Sequence, residues 1–129
     1  MENYRSEDDF YAYKDRLLAA FRESELAKKY AAKRQPRLVA DADLMLQVGH
    51  NYYSADQIYK WTAFDLEDFC LRHLPYKLVA SPSAFREMGH NLTVFVRWLH
   101  AEGLVANGEN LLEIIRGLPD KMVEVAKRY

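Results

Sequence analysis

The string W-T-A-F-D-L-E-D-F-C-L-R-H-L-P-Y-K, from Trp61 to Lys77, and F-V-R-W-L-H-A-E-G-L, from Phe95 to Leu104, constrain this chain most. They read as parts of two helices divided by Pro75, each apolar on more than one side. In the first, Leu66, Phe69, Cys70, His73 and Leu74 share a face, while Phe64 and Leu71 lie nearly opposite. In the second, Phe85, Met88, Leu92, Phe95, Val96 and Leu99 share a face, and Val94, Trp98 and Ala101 form another strip. A helix apolar on two sides needs a neighbour on each. The pattern therefore predicts an all-α bundle built around two central helices, about 63–74 and 83–102. Gly89-His90-Asn91 is a potential break point within the second helix.

The flanks supply the companions. Ser6 caps a first helix over about 7–34, with Glu7, Asp8 and Asp9 at its positive end and an apolar stripe of Phe10, Tyr13, Leu17, Ala20 and Phe21. Glu25 and Lys29, four apart, extend it as an arm that packs or projects, and Pro36 ends it. A second helix spans 43–52 with Leu44, Met45, Val48 and Tyr52 on one side. Ser54 and Gln57 form a capping box for a short turn carrying Ile58 and Trp61, and Thr62 with Asp65 marks the next start. Ser81-Pro82 is a start signal, and Gly103 suits a left-handed C-terminal cap. After the Asn107-Gly108 turn, Leu111, Ile114, Ile115 and Leu118 repeat at helical spacing. Pro119 then opens a last helix bearing Met122, Val123, Ala126 and Tyr129. Six to seven helices in a single domain, 1–129, follow. No strand alternation, repeat or linker interrupts them.

Composition narrows the function classes. A chain of 129 residues, half hydrophobic and 29% charged, is that of a globular protein, burying roughly two thirds of the surface its unfolded form exposes. The net charge of -1 gives no general attraction to nucleic acid or anionic membrane. One cysteine, Cys70, excludes an internal disulfide and four-cysteine zinc sites, and suits a reducing cytoplasm. No apolar run approaches the roughly 18 residues of a membrane span, and the charged N-terminus is unlike a signal peptide.

The same central residues resemble a diffuse group of uncharacterised prokaryotic proteins. Its pattern is a tryptophan, a helix ending in leucine-proline-x-lysine, and a helix with phenylalanine-x-arginine-tryptophan, borne in some members beside zinc-binding or plasmid-derived segments. The matched positions are Trp61, Phe69, Leu74, Pro75, Lys77, Phe95, Arg97 and Trp98, about a third of the chain. The resemblance implies a shared helical module and transfers no catalytic residue. The F-V-R-W-L-H-A-E-G-L helix is also similar to helical core-binding domains of recombinases.

Residues that could carry chemistry are sparse. His50, His73, His90 and His100 form no pair at metal-ligand spacing on a helix. Only a site assembled in space, from His90, His100 and Glu87 or Glu102, would hold an ion. His73 fits a hydrogen-bonded place at the core edge, and Cys70 fits an inert buried thiol beside acidic neighbours. There is no Gly-rich phosphate loop and no G-x-S-x-G elbow. The chain reads as non-catalytic, without metal or cofactor.

Two binding readings remain. The basic run Lys28, Lys29, Lys33, Arg34 and Arg37 would contact nucleic-acid phosphates or an acidic partner, or complement the first helix's dipole. Glu109 and Glu113 on a neighbouring helix oppose a groove-reading role. Residues 38–75 carry six acids (Asp41, Asp43, Asp56, Asp65, Glu67, Asp68) against two bases (Lys60, Arg72), a polarity suited to orienting the module within itself or against a second copy. Nine tyrosines, among them Tyr52, Tyr53 and Tyr76, suit half-buried edges and interfaces. Lys77, His90 and Arg97 are further surface-site candidates. A non-catalytic helical interaction or scaffold module, binding a protein partner or forming a homodimer, is expected. A nucleic-acid-binding accessory domain is the alternative.

Overall fold

In the computed structural model, which describes residues 7–53 and 61–128, the described residues form helices and turns and no strand. The helices are α1 (Glu7–Arg22), α2 (Glu25–Lys28), α3 (Gln35–Tyr52), α4 (Ala63–Asp68), α5 (Leu74–Lys77), α6 (Pro82–Ala101) and α7 (Gly108–Ala126). A π-helical turn, Phe69–His73, joins α4 to α5, so residues 63–77 act as one short rod. The expected all-α bundle is present.

Packing sets the order of these elements. α6 and α7 make the most extensive contact, α3 lies on α6, α1 lies on α3, and the rod lies on α7. Gly89 is what lets α6 and α7 approach: a Cβ there would stand 2.8 Å from the Pro119 Cα and 3.0 Å from the Met122 sulfur. Phe21 from α1 meets Phe95 and Trp98 of α6, at ring-centre distances of 5.0 and 5.4 Å. Trp61, Leu66, Phe69, Cys70 and Leu74 are fully buried. Lys14 of α1 reaches Asp43 of α3 at 2.6 Å, and Gln47 also donates to that carboxylate, which fastens α1 to α3.

The helix starts follow their capping chemistry. Thr62 accepts from the Asp65 N–H and Ser81 from the Ala84 N–H, each satisfying a backbone donor that a helix start leaves free. Gly103, with φ 67°, takes the left-handed conformation after α6. The Ser6 cap, the Ser54–Gln57 capping box, Ile58 and Tyr129 lie outside the described residues.

Four boundaries differ from those the sequence suggests. The helix expected over 7–34 stops at Arg22, because the Ser24 hydroxyl donates to the Phe21 carbonyl and accepts from the Ala27 N–H. Pro36 sits in the first turn of α3, where its missing N–H costs no bond, so that helix begins at Gln35. Gly89-His90-Asn91 does not divide α6. Pro119 lies inside α7 instead of opening a helix, since the buried register Leu111, Ile115, Leu118, Met122, Ala126 continues across it. The two-sided burial expected for the rod also fails on one side. Phe64 is 75% exposed, and Leu71, though it packs against the core, is only half-buried.

The close approach at Gly89 generates a contrast in sign. Gly117 faces open space on α7. Gly117→Ala is expected to stabilise by about 0.5–1 kcal/mol through helix propensity. Gly89→Ala should lose more to overpacking, about 1–3 kcal/mol, than it gains in propensity. Urea unfolding of both variants checks this; equal stabilisation would show that the α6–α7 gap is not tight.

Candidate interaction surface

Pro75 shapes the rod. It has no N–H to give the Leu71 carbonyl, so the ladder widens just before it. The Leu74 N–H bonds the Phe69 carbonyl, five residues back, and the ordinary spacing resumes with the Leu78 N–H on the Leu74 carbonyl. The inner face, Leu66, Phe69, Cys70 and Leu74, anchors the rod to the core. The outer face carries Phe64, Leu71, Arg72 and Tyr76, and beyond α5 the chain continues through Leu78 and a fully exposed Val79. Tyr76 is 75% exposed with the Lys77 ammonium 5.4 Å from its ring centre.

The end of α3 flanks this face. Tyr52 tilts against His73 at 4.9 Å between ring centres, and the Tyr53 hydroxyl donates to Asp68 at 2.8 Å. Asp68 also pairs with Arg72 at 3.0 Å. Burial, together with the Asp68 hydrogen bond and charge, pushes the Tyr53 phenol well above its ordinary range, so it remains a donor. Burial and the Lys77 charge hold His73 below its usual value, so it is neutral at pH 7. Its two aromatic neighbours, Phe69 and Tyr52, give it a packing role at the core edge.

Two hollows open from the outer face and share Leu71. One, about 150 Å³, is lined by Phe64, Glu67, Asp68, Leu71 and Arg72. The other, about 580 Å³, is lined by Leu71, Val125, Arg86, Asp120, Lys121, Glu124 and Arg128. Arg86 pairs with Asp120 at 3.4 Å and Glu124 with Lys127 at 3.6 Å. Glu67, Lys121 and Arg128 make no ion pair among the described residues.

The basic run is dispersed by the fold. Lys28 pairs with Glu23 at 2.9 Å and Arg37 with Glu87 at 2.9 Å. Arg34 turns inward, donating twice to the Asn91 carbonyl oxygen and lying 4.7 Å from the Tyr30 ring centre. Lys29 and Lys33 are exposed. His90 and Arg97 lie two turns apart on the exposed side of α6, and no bond joins either to Lys77. His100 stands instead against Gly108 at the start of α7. No group of three or more histidine, cysteine, aspartate or glutamate side chains among the described residues is placed to hold a metal ion, so His90, His100, Glu87 and Glu102 do not converge on one. The Cys70 thiol is fully buried, and burial alone raises its pKa far above the ordinary thiol range. No helix of the described residues is long and apolar enough to cross a membrane.

Asn91 is the polar residue that the sequence reading passed over. It is 1% exposed, accepts from Arg34 and donates to Asp41 at 2.8 Å, tying the start of α3 to α6. Its signal is its place, three residues after Met88 and four before Phe95 in an apolar register. A buried amide there needs partners on both its ends.

Compared with protein-family models, curated proteins and solved structures, the chain matches none.

The Asn91 cluster has a pH consequence. Burial is the main cause that raises the Asp41 pKa, opposed by the Asn91 hydrogen bond and reinforced by the Glu87 charge. The folded protein therefore holds that proton to higher pH than the unfolded chain, and stability falls as pH rises through the interval between the two values. Asp41→Asn removes this loss. It is expected to stabilise at pH 7, with the gain shrinking as pH falls towards about 4, the ordinary carboxylate value. Urea titrations across pH check this; a pH-independent difference would contradict it.

Proposed function

We propose that this protein is a non-catalytic helical interaction module of the cytoplasm, and that it binds protein through the outer face of the rod. The observation that carries the reading is the bare apolar strip on a firmly anchored element. Phe64 and Tyr76 stand in solvent, with Leu71 and Val79 beside them, while the opposite face of the same rod is fully buried. Aromatic residues in such a strip bury large area at little entropic cost, because their rings are stiff. The resemblance of the 61–104 pattern to a shared helical module fits this use. The nucleic-acid reading has less to support it, since Lys28, Arg34 and Arg37 of the basic run are engaged within the chain.

The test is stoichiometric crosslinking and affinity recovery, read for other proteins and for further copies of the chain. Phe64→Asp with Tyr76→Asp is expected to keep the helical circular dichroism and to cut recovery at least tenfold. Arg97→Glu, on the exposed side of α6, should leave recovery unchanged. Retention of nothing, or equal retention by the rod variant, would remove the reading.

A further inference from the structure

We infer that the occupant of the rod's outer face is a second copy of this chain, docked about a two-fold axis near Leu71; this rests on the interaction reading above. The rod is apolar on two faces, and among the described residues one of them, Leu66, Phe69, Cys70 and Leu74, is buried against the core. On the other, Phe64 is exposed and Leu71, which packs on the core from its edge, is half-buried.

Charge then selects the partner. The two hollows that meet at Leu71 have opposite character once internal pairs are set aside. Asp68 is matched by Arg72, Asp120 by Arg86, and Glu124 by Lys127. Glu67 remains on one side, and Lys121 and Arg128 on the other. A face with an acidic hollow and a basic hollow on either side of Leu71 is complementary to itself when rotated by half a turn about that residue. Each Glu67 then meets Lys121 and Arg128 of the other copy, the Leu71 side chains meet at the axis, and each Phe64, which lines the acidic hollow, packs towards Val125 in the other copy's basic hollow. Like charges would oppose a parallel superposition of the same faces, which fixes the register. A standard interface covers about 800 Å² per partner, roughly a tenth of the 7352 Å² surface of this chain.

Complementary charge exchange tests this without disturbing the core. The intact chain is expected to sediment as a monomer–dimer equilibrium between about 1 and 300 μM. Glu67→Lys alone, or Lys121→Glu with Arg128→Glu, places like charges across the axis and should weaken self-association at least tenfold. An equimolar mixture of the two variants restores opposite charges at both ends, so a heterodimer of near-native affinity should form. A native chain that stays monomeric over this range overturns the proposal, as does a dimer that neither variant weakens or a mixture that fails to associate. If self-association fails while a different protein is lost from the Phe64/Tyr76 variant, the interaction reading stands and only its occupant changes.

Discussion

The approach of α6 to α7 at Gly89 governs the positions of the other elements. A helix pair that close leaves no space for a side chain at the crossing, so Pro119 and Met122 fill the notch instead. Pro119 costs α7 a backbone bond, yet it packs its ring where a larger separation would leave a void. With this pair fixed, α6 offers one flank to α3 and α7 offers its own to the rod. The rod is thus held by α7 along its inner face and by Tyr52 and Tyr53 at the end of α3, and it lies at the margin of the bundle.

Polar contacts set the register of the opposite layer. Lys14 with Asp43 and Gln47 locks α1 on α3. Arg34, Asn91 and Asp41 lock α3 on α6. Apolar packing alone tolerates sliding, whereas a buried amide bonded at both its oxygen and its nitrogen permits few alternatives. The cost is a carboxylate kept partly from water, visible in the raised pKa of Asp41. Two of the five residues in the basic run, Arg34 and Arg37, are used on this side of the molecule, so its charge belongs largely to the fold.

The sequence made legible what depends on local backbone chemistry. The Thr62 and Ser81 caps and the Gly103 terminus involve residues within a few positions of each other, and they were readable for that reason. Proline was ambiguous because the same missing N–H is harmless in a first helical turn, as at Pro36, and tolerable inside a helix held by its apolar register, as at Pro119. Ser24 ends α1 through two local bonds, to the Phe21 carbonyl and from the Ala27 N–H. Asn91 was hidden because its partners, Arg34 and Asp41, are about fifty or more residues away. The candidate surface was half legible. Tyr52 and Tyr76 marked its neighbourhood, but periodicity cannot say whether a second apolar face is covered by the same chain or by another.

That distinction turns on the π-helical turn. An unbroken α-helix ending at Pro75 would leave the Leu71 carbonyl without a donor and set a different phase between Phe64 and Tyr76. The widened turn lets Phe69 keep its bond while Leu74 returns to the core. Arg72 lines both the hollow holding Phe64 and a further one formed with Asp68, His73 and Tyr76, and it is paired to Asp68, which Tyr53 also holds. The outer strip is therefore presented on backbone that its own inner face, a proline and a hydrogen-bonded tyrosine all restrain. Restraint of that kind lowers the ordering entropy that any association through the strip would cost.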